Sequence, residues 1–155
     1  MRRLNRLLLL SVPFSALSLS AQQSTIYTHP LKDFDRAVTL YNDKQYQAAQ
    51  ILFEKTKTDN DDADIQADCA FYIAECAVKL NQRNADTLMQ DFVEGYPVSP
   101  RQNQAYVDMA DYQFSHGSYK QALEYYDKVD ESNLAVADRE RYNFQKGYSL
   151  SLIHI

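Results

Sequence analysis

Turn-forming residues are scarce in this chain: 3 Gly and 4 Pro among 155 residues, with no Trp at all. A sandwich or barrel of short strands needs such residues at many corners, so their scarcity disfavours an all-β fold. Cysteine is limited to Cys69 and Cys76. On one helix, seven residues apart, their backbones would stand about 10 Å from each other, too far for a mutual disulfide. They read as two small buried hydrophobes, with pairing to another chain as the alternative in an oxidising compartment. A glycine-rich phosphate loop, an H-E-x-x-H pair and a Cys/His cluster with metal spacing are all missing. The acidic run "DNDDAD", Asp59 to Asp64, lacks the central glycine and closing glutamate of an EF-hand and reads as a solvated turn. Of the histidines, His29 sits in "YTHPL", His154 near the end, and His116 at a helix terminus, where it reads as a cap. No catalytic, cofactor-binding or metal-binding residue is therefore assigned, and the expectation is a protein that is not an enzyme.

What is present describes a globular chain of one-domain length, 45% hydrophobic and 24% charged. Its start has Arg2, Arg3 and Arg6, then an apolar run from Leu7 to Leu19, then small residues, which is the layout of a secretory signal peptide over residues 1–21. The run is too short and too interrupted by Pro13 and serines to span a membrane comfortably. Cleavage after Ser20 and after Ala21 both fit. Losing those three arginines takes the formal charge from −5 to −8. An acidic exported chain without a basic block is a poor nucleic-acid binder, since Lys and Arg supply affinity for phosphates. At the other end "LSLIHI", residues 150–155, follows a helical pattern without continuing it and resembles the translation of a transposase adapter from sequencing libraries. The expectation is that the native chain runs on past Ser149.

Between these ends the chain repeats itself. "DKQYQAAQILFEK" and "HGSYKQALEYYDK" align when Tyr46 is placed on Tyr119. Ala37, Ala74, Ala110 and Gly147 follow one another at 37, 36 and 37 residues, each inside a helical pattern. Phe34, Phe71, Val107 and Phe144 stand three positions before them, and Tyr41, Val78 and Phe114 four positions after the first three. A small residue flanked by large apolar ones at i−3 and i+4 marks one packed helix face. Second helices show as Tyr46, Ala49, Phe53 and as Tyr119, Ala122, Tyr126, with a weaker middle copy near Asn84 to Glu94 that lacks the alanine. Short polar turns precede them, and "GYPVSP" ends a helix and starts another, with Ser99 as cap and Pro100 in the first turn. The aromatics of this pattern, Phe34, Phe71, Phe144 and most of the 12 tyrosines, read as packing between helices.

The pattern small residue, aromatic, small turn, then Y-x-x-A-x-x-x-[FY] resembles the tetratricopeptide repeat (TPR), carried here by Ala37, Tyr46, Ala49, Phe53 and by Ala110, Gly117, Tyr119, Ala122, Tyr126. The first-helix tryptophan frequent in that family is missing, and Tyr106 takes its place in the third unit. The joint "FVEGYPVSPR" is similar to that of envelope repeat proteins such as the Tol-Pal-linked cell-division coordinator and the outer-membrane assembly lipoprotein. The resemblance implies an all-α, right-handed helical-repeat solenoid over residues 31–149, with about three helix pairs plus one further helix, after a short linker at 22–30. It also implies a concave groove lined by the first helices. Carried onto this chain, the positions facing that groove are Val38, Glu75, Asp111 and Tyr148, with Tyr41, Asn42, Val78, Lys79 and Phe114 further along and Asp35 and Asp108 flanking it. The expected function is a protein-interaction scaffold, periplasmic or peripheral to the outer membrane, holding protein or peptide segments with basic residues and apolar anchors. The Lys, Asn and Arg set that clamps a terminal carboxylate in some members is not reproduced. A carbohydrate-capture module and the repeat arm of a larger exported enzyme are the rival expectations.

Overall fold

The computed structural model describes residues 22–153, with side chains from residue 31 onward. The expected export segment 1–21 and His154 lie outside the described residues, as does the side chain of His29. Seven α-helices follow in order: α1 (Gln22–Asn42), α2 (Tyr46–Thr58), α3 (Ala63–Lys79), α4 (Ala85–Gly95), α5 (Gln102–Ser115), α6 (Tyr119–Tyr126) and α7 (Val136–Ile153). A short 3₁₀ turn, Glu131–Asn133, precedes the last. No strand occurs among the described residues. The fold is all-helical, and each helix packs on the next in sequence, with α3 also touching α5 and α5 touching α7. Residues 22–30, expected as a linker, belong to α1, which passes through Pro30. Helix α7 likewise runs through Leu150 to Ile153, where the sequence reading expected the helical pattern to stop.

Three buried clusters sit along the chain, and each is made by three consecutive helices. The first gathers Ala37, Ala49, Phe53, Cys69, Ile73 and Cys76 from α1, α2 and α3. Phe53 lies at its centre, stacked on Tyr72 at 4.8 Å between ring centroids and edge-on to Phe34 at 5.7 Å. The second gathers Phe71, Ala74, Met89, Phe92, Ala105 and Met109 from α3, α4 and α5. The third gathers Val107, Ala110, Ala122, Tyr126 and Tyr142 from α5, α6 and α7, with Val129 and Leu134 from the connection between the last two. Tyr72 packs against the first and second, and Tyr125 against the second and third. In the middle unit the missing alanine is supplied one position early: Ala85 is fully buried, with Met89 and Phe92 on the same face of α4.

The small residues Ala37, Ala74 and Ala110 have no exposed surface. The spacing recurs in the backbone. Lys44, Asn81 and Gly117, each seven residues after its alanine, adopt left-handed φ values of 60°, 51° and 74°. The following N–H groups of Gln45, Gln82 and Ser118 reach back to the carbonyls of Leu40, Ala77 and Gln113 at 2.9 Å. The left-handed residues themselves donate to Tyr41, Val78 and Phe114 at 2.9 to 3.0 Å. This is one Schellman cap written three times, and it turns the chain sharply into the second helix. Only the third copy uses glycine, although a left-handed conformation costs a residue with a Cβ about 1–2 kcal/mol. Lys44→Gly is expected to raise stability by about 0.5 kcal/mol, strain relief exceeding the extra chain entropy, and Gly117→Ala to lower it by about 1 kcal/mol. Urea unfolding of the two variants checks both signs.

The fourth register departs from the first three. Gly147 is exposed and has nothing within 4 Å of a hypothetical Cβ, and Phe144 is 68% exposed instead of packed between helices. Helix α7 buries Tyr142 and Ser149 against what precedes it, and no second helix lies against Gly147 among the described residues. The cap of α5 also differs from expectation. The helix begins at Gln102, and the Ser99 hydroxyl accepts from the Arg101 N–H at 3.3 Å in the turn before it. Gln102 opens the helix and ties it to α4, its side-chain amide donating to the Val93 and Tyr96 carbonyls. The acidic turn after α2 behaves as a cap: Asp62 accepts from the N–H groups of Asp64 and Ile65 at the start of α3.

Candidate functional site

Helix α5 touches both α3 and α7, and charged and polar side chains meet where they face one another. Glu75 on α3 retains 4% of its accessible surface. The Tyr41 hydroxyl of α1 donates to its Oε2 at 2.8 Å, and the Lys79 ammonium, one turn on, stands at 3.9 Å. Its other oxygen, Oε1, is buried and receives no donor. Asp108 of α5 lies against Glu75 within hydrogen-bond reach, and the Gln104 amide bonds both of its oxygens at 3.0 Å. One turn along α5, Asp111 accepts from the Tyr126 hydroxyl at 2.9 Å and from Arg141 Nε of α7 at 3.1 Å. Arg141 also reaches Asp138 at 3.2 Å. A groove of about 280 Å³ opens over Asp108 and Asp111, walled by Val78 and Lys79 on one side and by Tyr112, His116 and Arg141 on the other.

The electrostatics follow from this crowding of acids. Burial, then the neighbouring Glu75, pushes the Asp108 carboxyl up to about 8, with Gln104 and Lys79 opposing. Burial also raises Asp111, against the pull of Tyr126 and Arg141. Tyr41 is raised by burial and by the carboxylate it bonds. The two thiols are inert for a different reason: burial pushes Cys69 and Cys76 up to about 12, so neither is a thiolate near neutral pH. Among the described residues no group of His, Cys, Asp and Glu is arranged to hold a metal ion, and no helix is long and apolar enough to cross a membrane.

Of the positions expected to face a common groove, Val78, Lys79, Asp108 and Asp111 line one, while Tyr41 and Glu75 lie outside its lining, bonded to each other. The others go elsewhere. Val38 packs against the first buried cluster, and Asn42 is exposed at the end of α1. Phe114 meets the rings of Tyr119 and Tyr148 at 5.6 and 5.8 Å, in an aromatic group formed by α5, α6 and α7. Arg141, Gln104 and Tyr126 were not among the expected site residues. Gln104 was legible as an i,i+4 partner of Asp108 on one helix face. Tyr126 was assigned to the core from its stripe position; its ring is buried there while its hydroxyl reaches the groove. His116 caps α5, its Nδ1 at 2.8 Å from the Tyr112 carbonyl and its Nε2 at 3.2 Å from Asn81 Oδ1. No family profile, curated protein or solved structure matches the chain.

Proposed function

We propose that the chain is a TPR-like, right-handed helical-repeat scaffold of the cell envelope, exported and non-catalytic, that holds partner segments in the groove between its first helices. The cap repeated at 37 and 36 residues supports the repeat reading, because equal turns at equal spacing stack similar units side by side. The observation that carries the binding reading is the groove's composition. Asp108 and Asp111 line it with Glu75 directly behind, while Val78 and Tyr112 offer apolar surface beside them. Such a surface suits a partner segment carrying a basic residue flanked by apolar anchors. The signal-like start and the Y-P-x-S-P joint support the envelope assignment.

Selection of displayed random peptides on the full chain tests the binding reading. Peptides pairing Lys or Arg with an aromatic or aliphatic residue should be enriched and lose binding to Asp111→Lys. Enrichment without charge preference, or binding indifferent to that substitution, overturns it. Fusion of the chain to a phosphatase active only outside the cytoplasm tests export, and an inactive fusion overturns that part.

A further inference from the structure

The Glu75–Asp108 contact has a chemical requirement that the surrounding side chains leave unmet. Both groups are carboxyls, and an oxygen with only lone pairs cannot donate to another. Glu75 Oε2 is satisfied by Tyr41, but Oε1 is buried without a donor, and the donors around Asp108 are taken up by its own oxygens. Two ionised carboxylates in contact repel each other, so one positive charge must stand between them. The protein's own cations provide it only in part, through the distant Lys79. Arg141 is engaged by Asp111 and Asp138, and Lys79 stays at 3.9 Å from Glu75 with 43% of its side chain exposed. His116 is turned to Tyr112 and Asn81 on the far wall.

We propose that the Glu75–Asp108 pair is a proton-exchanging cation site, in which the ammonium or guanidinium group of a basic segment replaces a single proton held between the two carboxyls. The exchange balances: one cation enters, one proton leaves to solvent, and the pair's net charge with its guest is unchanged. The groove gives the entry route, since Asp108 faces it while Glu75 is closed off behind. Asp111, one turn along, is already held by Tyr126 and Arg141, which leaves the Glu75–Asp108 pair as the place for the incoming cation. Burial and Glu75 hold the proton on Asp108 at neutral pH, so the ligand must displace it, and affinity rises with pH up to about 8, where the proton leaves unaided. Below that value protons compete. The proposal rests on the partner-segment reading for its natural ligand, but not for its chemistry.

Carbon-13 NMR of the carboxyl carbons in the full chain tests it, with n-butylammonium and methylguanidinium as probes against sodium at equal ionic strength. The expected result is a titration of Asp108 well above the ordinary carboxylate range, which either probe lowers by roughly one pH unit and sodium does not. In Asp108→Asn the probes should no longer perturb the Glu75 carboxyl; Glu75→Gln should return Asp108 towards the ordinary range, and circular dichroism verifies that each variant is folded. An Asp108 that titrates like an exposed aspartate overturns the proposal, and so does a raised titration that the two probes leave unmoved. Should the small cations shift the titration while peptide selection yields no basic segments, the site stands and the partner reading falls. The reverse pair of outcomes sinks the site alone.

Discussion

Phe53→Ala is expected to cost about 3–5 kcal/mol of folding stability, whereas Phe144→Ala should change it by less than about 0.5 kcal/mol. Phe53 is fully buried, stacked on Tyr72 and edge-on to Phe34, so truncation removes a ring at the centre of the first cluster and leaves a cavity walled by neighbours that are themselves pinned. Phe144 occupies a register position that the sequence equates with Phe34 and Phe71, yet it stands 68% exposed, and among the described residues its ring meets only that of Tyr148, at 6.1 Å. A domain of this size is stable by about 5–15 kcal/mol, so the first variant approaches the edge of unfolding at ambient temperature. Chemical denaturation of both variants measures the contrast. Equal losses would mean that Phe144 is covered in solution by a surface absent from the fold described here.

Tyr126→Ala should be nearly as damaging, at about 3–5 kcal/mol, and its comparison with Tyr126→Phe separates two effects. The ring is fully buried and meets Tyr142 edge-on at 5.3 Å, so the alanine variant loses packing between α6 and α7. The phenylalanine variant keeps the ring and loses only the hydroxyl shared with Asp111 at 2.9 Å and Gln145 at 3.0 Å. Asp111 then keeps Arg141 but lacks one donor, and the expected loss is about 1–3 kcal/mol. Thermal unfolding of the pair reports the partition. A phenylalanine variant as unstable as the alanine one would show that the hydroxyl network, not the ring, holds α7 in place.

Much of the architecture was legible because it depends on local repetition. Ala37, Ala74 and Ala110 are fully buried, as their spacing predicts, and each is clustered with residues of the helix that follows, where a small side chain lets two backbones approach. Gly147 misled for a physical reason: a small residue is a packed position only if a helix crosses it, and the pattern of one strand of sequence does not say whether the crossing partner is present. Within the site, Tyr41, Glu75, Lys79 and Asp111 came from counting outwards from the small residues. Their pairing did not. Tyr41 meets Glu75 across 34 residues and Asp68 meets Arg101 across 33, which is the repeat period less about one helical turn. Arg141 meets Asp111 across 30, the period less about two turns. Those offsets depend on how α1, α3, α5 and α7 are placed against one another, which side-chain pattern alone leaves free.

Because the buried residues of each cluster come from three consecutive helices and neighbouring clusters meet only through a few flanking side chains, Tyr72 and Leu88 at one junction and Tyr125 at the other, nearly all packing joins segments close together in the chain. Closing short loops costs little entropy, so such contacts form early, and a chain built from them folds quickly for its length. The buried residues of the first cluster are all present once α3 is available, and Leu88 of α4 covers it, well before α5 exists, which lets a chain emerging from its N-terminus protect its aromatic surface in instalments instead of exposing all of it until the last helix arrives.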